Sequence, residues 1–322
     1  MAPPPTSSQQ GPKVRQVFRV PLGLLDDRLV PPSLAQRDHS YECPSCRSKL
    51  VLRSGARVRS HFAHKPSSSC TGETVLHQTA KLLIAEAAAG AISGDRNVSI
   101  KSACGECRRM FERALPPSRA TDVKVESRLP SGLVIDVLLL AVGVPRLAIE
   151  VLVTHRVDEH KAQVFGTLPW IEVRATDIIE NPFQWVVTNG QLKKDICPLC
   201  RIVIRLQEEQ AARCRSRWHV SVAEPYSYEV ARCWKCSEVL LYFDWPGKEA
   251  WTSEPPPEPR PRTLQLRYSQ TTRSKYWAST CPKCRALQGD FDRSSSTSDF
   301  HYELEKKAKE ILDRKPSTQA TG

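Results

Sequence analysis

The sequence predicts an α/β fold with a mixed β-sheet, flanked by small cysteine-bearing modules. Three observations carry this. An apolar stripe at helical spacing (Leu76, Ala80, Leu83, Ala87) opens the central segment. Two strongly apolar, β-branched runs follow, with a further helix and strand behind them. Ten of the 12 cysteines form five Cys-x-x-Cys pairs, placed on both sides of those runs.

Taken in order, residues 1–15 read as a disordered tail rich in Pro, Ser and Gln. Residues 16–72 form a first module, with short apolar runs between Val17 and Val30 that suit a strand or two, then a cysteine motif from Tyr41 to Cys70. The core domain is expected over 73–196. Its helix runs from Thr71, a capping residue, to Gly90, a stop. A short strand follows at Val123–Glu126. Gly132–Ala141 and Arg146–Thr154 then read as a β-hairpin joined by Val142-Gly143-Val144-Pro145. Val157–Gly166 reads as a crossover helix and Trp170–Arg174 as a strand. Residues 197–230 are a connector with a helix at Arg201–Cys214, and 231–292 a second cysteine module around a Pro-rich loop at Ser253–Arg262. Residues 293–322 hold a linker at Ser294–Asp299 and a charged helix at Tyr302–Arg314.

The cysteine spacing points to metal. Two thiolates separated by two residues reach one tetrahedral ion from a single tight turn, and adjacent cysteines are poorly placed to bridge distant loops. Cys233, Cys236, Cys281 and Cys284 form a zinc ribbon. Cys43, Cys46 and Cys70 with one of His61 or His64 form a second tetrahedral set. Cys104/Cys107 and Cys197/Cys200 are candidates for a third, so two or three structural Zn²⁺ ions are expected; Cys214 has no assigned role. Such pairs fit a reducing, cytoplasmic compartment. No apolar run spans a bilayer, and residues 1–12 lack the apolar core of a signal peptide, so no membrane partner is expected. A net charge of +12 and a pI near 9.2 suit a polyanionic partner, nucleic acid above all.

Asp136 and Glu150 are lone acids in otherwise apolar strands, where burying an unpaired carboxylate is costly. A turn centred on Gly143 places them opposite each other. A divalent cation between them, Mg²⁺ or Mn²⁺, converts their repulsion into attraction and suits phosphodiester hydrolysis. The plainer alternative is an edge acid paired with an arginine. Glu73, His77 and Lys81 share a helix face, which by periodicity alone is a solvated polar face.

Tyr41-Glu-Cys-Pro-Ser-Cys46, His61-Phe-Ala-His64, Cys70 and Glu73-x-x-x-His77-x-x-x-Lys81 together resemble the opening of competence protein CoiA-like proteins. The resemblance extends through Asp136, Ile149-Glu150-Val151, Thr154-His155 and Lys161, to about Ala175. It implies a restriction-endonuclease-like, PD-(D/E)XK nuclease core acting on DNA, with a role in DNA uptake, repair or defence. It makes Asp136 and Glu150 the metal carboxylates and Glu73 the helix acid. The family's lysine two residues after the second acid is missing, since Leu152 stands there; Lys161 or Lys81 is left to supply the ammonium. The competing reading is a non-catalytic zinc module that binds nucleic acid or a protein partner. A zinc deaminase is excluded, because no His or Cys followed by Glu precedes a Pro-Cys-x-x-Cys here.

Overall fold

The computed structural model describes residues 19–55, 58–65, 70–115, 120–192 and 195–314; the expected tail at 1–15 lies outside them. The chain divides into two compact units, 1–195 and 196–322.

In the first unit, β1 (Arg19–Val20), β4 (Val51–Gly55) and β5 (Val58–Ala63) form a small sheet, and β2 (Gly23–Leu25) pairs with β3 (Arg28–Val30). Helix α1 (Gly72–Ser93) follows. Thr71 caps it through its hydroxyl, as expected, but Gly94 at φ 83° ends it rather than Gly90. Then come β6 (Ser99–Ala103), β7 (Met110–Ala114), β8 (Asp122–Arg128), β9 (Val134–Ala141), β10 (Val144–Leu152), α2 (Glu159–Val164), β11 (Trp170–Arg174), α3 (Ala175–Glu180) and β12 (Gln184–Gln191). The seven strands β6–β12 form one mixed sheet in the order β7-β6-β12-β11-β10-β9-β8. The pairs β10/β11 and β12/β6 are parallel and the others antiparallel. Expectation from sequence lacked β6, β7 and β12.

Ala80, Ile84, Ala87 and Ala88 of α1 pack on Val137, Leu139, Ile149, Val151, Ile171 and Val173 on one sheet face. The other face holds Ile135, Leu138, Leu140 and Ala148, covered by Ala162, Phe165 and Trp170. The β9–β10 turn is Val142-Gly143, both at positive φ (51° and 76°). Two such residues make the mirror-image two-residue turn that matches strand twist. Gly143 takes it freely; Val142 is β-branched and strained there.

The second unit begins with α4 (Pro198–Trp218), longer than the helix expected at Arg201–Cys214. Two hairpins follow: β13 (Ser227–Arg232) with β14 (Val239–Asp244), and β15 (Leu264–Ser269) with β16 (Ser274–Thr280), the latter joined by β17 (Leu287–Gln288). Helix α5 (Asp290–Arg314) closes the unit and runs straight through the segment expected as a linker at 294–299. It does so because Phe300, Leu304 and Ala308 pack with Val203, Leu206, Ala211 and Phe243 in one core, and that burial outweighs the weak helix propensity of serine. Cys214 belongs to this core; its Sγ donates to the Val239 carbonyl at 3.5 Å, and burial pushes the thiol up to about 11. No helix among the described residues is long and apolar enough to cross a membrane.

Candidate metal centres

Four of the Cys-x-x-Cys pairs are built alike. After Cys43, Cys104, Cys233 and Cys281 the chain turns through the second cysteine into a left-handed residue: Arg47, Arg108, Ser237 or Arg285, with φ between 57° and 61°. That residue's N–H donates to the carbonyl of the first cysteine at 2.9–3.0 Å. The first cysteine's own N–H returns to the residue after the left-handed one: Ser48, Arg109, Glu238 or Ala286. Both thiols of each pair are thereby presented on one side of a rigid turn. The fifth pair differs: Cys197 caps α4, its Sγ accepting from the Cys200 N–H at 3.4 Å.

In the second unit, Cys233, Cys236, Cys281 and Cys284 bring their Sγ atoms within 4.8 Å of one another. Buried Gln288 donates Nε2 to Cys233 Sγ at 3.3 Å. Four thiolates at this spacing are a tetrahedral zinc donor set. Of the aromatic residues ahead of the second knuckle, Tyr276 is buried, Trp277 is half-buried beneath Arg260 (4.6 Å), and Tyr268 is exposed.

In the first unit, Cys43, Cys46, His64 and Cys70 likewise place one ligand atom each within 4.8 Å of the others. His64 Nε2 lies 3.4 Å from Cys46 Sγ. His61 is outside this set; its Nδ1 faces the Arg59 carbonyl at 3.0 Å, and strand β5 turns it away. Of the two histidines left open by the sequence, geometry selects His64. Burial pushes Cys43 up to about 12. Cys46 feels a smaller push from burial, and hydrogen bonds from Ser48 and His64 hold it down at about 6. Cys104 and Cys107 sit between β6 and β7 in this unit, while Cys197 and Cys200 head α4 in the other.

The carboxylates meet at the end of the β9–β10 ladder. Its last registered pair is Ile149↔Val137, so one more step reaches Glu150 and Asp136. The approach is not the direct cross-strand pairing that the hairpin alone predicts. Ile135 packs on the α2 face while Val137 packs on the α1 face, so side-chain alternation breaks at Asp136. Opposite it stands Glu126, at φ 53° between the pairs Val125↔Val137 and Ser127↔Ile135. Asp136 Oδ2 accepts from the Val151 N–H at 2.9 Å and lies 3.0 Å from His77 Nε2. Lys81 Nζ sits 3.7 Å from Oδ1 and 2.6 Å from Glu126 Oε1.

Glu150, only 3% exposed, lies between Ile149 and Val151 of the α1-side core and so faces α2, where Lys161 Nζ meets its Oε2 at 2.6 Å. Its Oε1 is buried with no hydrogen-bond partner. Burial and the neighbouring Asp136 charge push Glu150 up to about 7 against the pull of Lys161. Burial works the same way on Asp136, but His77, the Val151 N–H and Lys81 overcome it and hold that carboxyl below its usual range. The orphaned Oε1, beside a second carboxylate, is the feature a hard cation would satisfy, with Asp136 and Glu150 as its ligands.

Two placements depart from expectation. Glu73 accepts from Thr154 Oγ1, one helical turn before His77, and does not join the Asp136–Glu150 group. From α1 it is His77 and Lys81 that reach Asp136. Lys161 does arrive, from α2, while Leu152 is buried in the strand. Sequence reasoning missed Glu126 and Glu172. Glu172 is 1% exposed, in parallel register with Glu150, and accepts from the Val157 N–H at 2.6 Å and Thr188 Oγ1 at 3.0 Å. A lone acid inside Trp170-Ile-Glu-Val was the available signal, the same one that marked the other two.

Residues 32–73 match the family model described as "Competence protein CoiA, N-terminal domain". No curated protein and no solved structure matches the chain. The match covers the first cysteine–histidine cluster and ends at Glu73, before the carboxylate centre.

Proposed function

We propose that the first unit is a metal-dependent nuclease of the PD-(D/E)XK type, CoiA-like over its length, hydrolysing phosphodiester bonds in DNA. The observation that carries the reading is the unsatisfied, buried Glu150 Oε1 beside Asp136. Each residue has a part in it. Asp136 and Glu150 would hold Mg²⁺ or Mn²⁺, which would supply Lewis-acid polarisation of the phosphoryl oxygen and make water more acidic. Lys161, 2.6 Å from Glu150 Oε2, takes the part of the missing strand lysine and offers its ammonium to developing negative charge. His77 and Lys81 orient Asp136 and keep it ionised. Glu172 fixes the Val157 N–H, two residues ahead of the helix that bears Lys161. DNA uptake, repair and defence all suit such an enzyme, in a cytoplasmic setting.

The test is incubation of purified protein with linear and single-stranded DNA, with Mg²⁺, Mn²⁺ or a chelator, beside Asp136→Ala. Cleavage that needs the cation and is lost in the variant is expected. Cleavage indifferent to the substitution removes the centre. A second reading, a non-catalytic zinc module for nucleic acid or a partner protein, draws support from the ion pairs that already balance both acids. No cleavage under any of these conditions favours it.

A further inference from the structure

The first unit has a second polar feature, away from the carboxylates. A cavity of about 790 Å³ opens between the loop at 37–41 and strands β4 and β5. Six of its lining side chains are basic or imidazole: Arg37, His39, Lys49, Arg53, His61 and Lys65. Among the described residues, no Asp or Glu lines it. Asp27 and Glu42 both face Arg47, at 2.7 and 3.8 Å, and exposed Asp38, between Arg37 and His39, is not among the lining residues. Among the described residues, Arg37, Lys49, Arg53 and Lys65 form no ion pair. Four unneutralised cations crowded into one concavity repel one another, and a polyanion relieves that repulsion.

The cations are set in place by the fold. Arg53 is the cross-strand partner of His61. Arg37 Nη2 donates to the Ser54 carbonyl at 2.8 Å, which ties the loop to β4. Lys49 follows the first knuckle and is bridged to Glu42 by backbone; Lys65 follows the cluster residue His64. The cysteine–histidine cluster therefore anchors both ends of the cavity. Tyr41 and Leu52 also line it, and the His39 ring stands edge-on to Tyr41 at 6.4 Å.

We infer that this cavity binds the sugar-phosphate backbone of single-stranded nucleic acid. Cations beside exposed imidazole and apolar surface suit phosphates and unstacked bases together. A duplex carries its phosphates on a stiff convex cylinder and meets only the rim of a concave site, whereas a single strand bends into it. The inference is separate from the cleavage reading, because none of these side chains belongs to the Asp136–Glu150 centre.

The test uses the full chain and a short fluorescein-labelled oligothymidylate, read by anisotropy across a salt series. Binding is read without added Mg²⁺ or Mn²⁺, so that cation-dependent cleavage does not enter. Replacing Arg37, Lys49, Arg53 and Lys65 together by Ala is expected to weaken binding more than tenfold. It also flattens the dependence of log K on log salt by about 0.7 for each phosphate that is no longer neutralised. Zinc content and melting are measured alongside. If the quadruple variant loses zinc, the single charge reversals Arg37→Glu and Arg53→Glu decide, each expected to weaken binding several-fold with zinc retained. The charge-matched variant with Lys306, Lys307, Lys309 and Arg314 changed to Ala is expected to bind like the parent. Equal weakening in that variant, no binding of the single strand, or tighter binding of the corresponding duplex or of inorganic polyphosphate each overturns the inference.

Discussion

The cysteine clusters and the carboxylate centre solve one problem, gathering like charges, by opposite means. Four of the five knuckles are local devices: six residues, a left-handed turn and two short backbone bonds present a pair of thiols whatever the surroundings. The carboxylate centre is assembled from afar. Asp136, Glu150, His77, Lys81, Glu126 and Lys161 come from β8, β9, β10, α1 and α2, and the charges offset one another across the group. A local device stands or falls with its metal. A distributed one is held by the fold and does not depend on a metal for its assembly.

That contrast breaks most sharply at the ribbon. Cys281→Ser is expected to remove one zinc and to abolish cooperative unfolding of the second unit, because structural zinc contributes on the order of 10 kcal/mol to such modules. Metal analysis and circular dichroism check it; a folded, zinc-poor variant would sink the comparison. Next, Asp136→Asn is expected to lower Mg²⁺-dependent cleavage by more than about a hundredfold, above the range typical of outer-shell partners, with zinc content unchanged. Third, Lys161→Ala leaves the buried Glu150 charge without its partner and is expected to cost about 3 kcal/mol in urea unfolding. Adding Glu150→Gln to it should restore most of that.

The pH response sharpens the same contrast. Glu150 is raised from an unfolded value of 4.5 to about 7, so the folded chain holds a proton that the unfolded chain has released. The contribution of this group to stability is therefore full below pH 4.5 and is lost as pH rises towards 7. Without divalent cation, unfolding midpoints are expected to fall across that window. Mg²⁺ at neutral pH, or Glu150→Gln, should flatten the fall. The smallest effect is expected at His61→Ala, within about 0.5 kcal/mol and with zinc retained, whereas His64→Ala loses the first-unit metal.

What was legible follows from the same division. Knuckles are written in consecutive residues, so spacing alone located them, and His64 was separated from His61 only because His61 lies within β5 and His64 just past its end. The apolar runs gave away β9, β10 and β11, and acids interrupting them gave away Asp136 and Glu150. Strands β6 and β7 were hidden because Ser99–Ala103 and Met110–Ala114 are short, polar on one face and interrupted by a knuckle. Lys81 was named as a candidate ammonium, but the contacts of His77 and Glu126 were hidden because they depend on a break in alternation at Asp136 that no periodicity announces. Helix α5 was cut short in expectation because its serines argue locally for a linker, while Phe300, Leu304 and Ala308 argue through a core formed by distant residues.

The hairpin that aligns the two acids is closed by a residue ill suited to its backbone. Val142 is 86% exposed at φ 51°, and its N–H is caught by Thr121 Oγ1 at 2.8 Å. A left-handed β-branched residue costs roughly 1–2 kcal/mol, and asparagine before glycine is the pair such turns favour. The apex thus offers a place where Val142→Asn can raise thermal resistance from outside the centre, leaving every charge described above where it is.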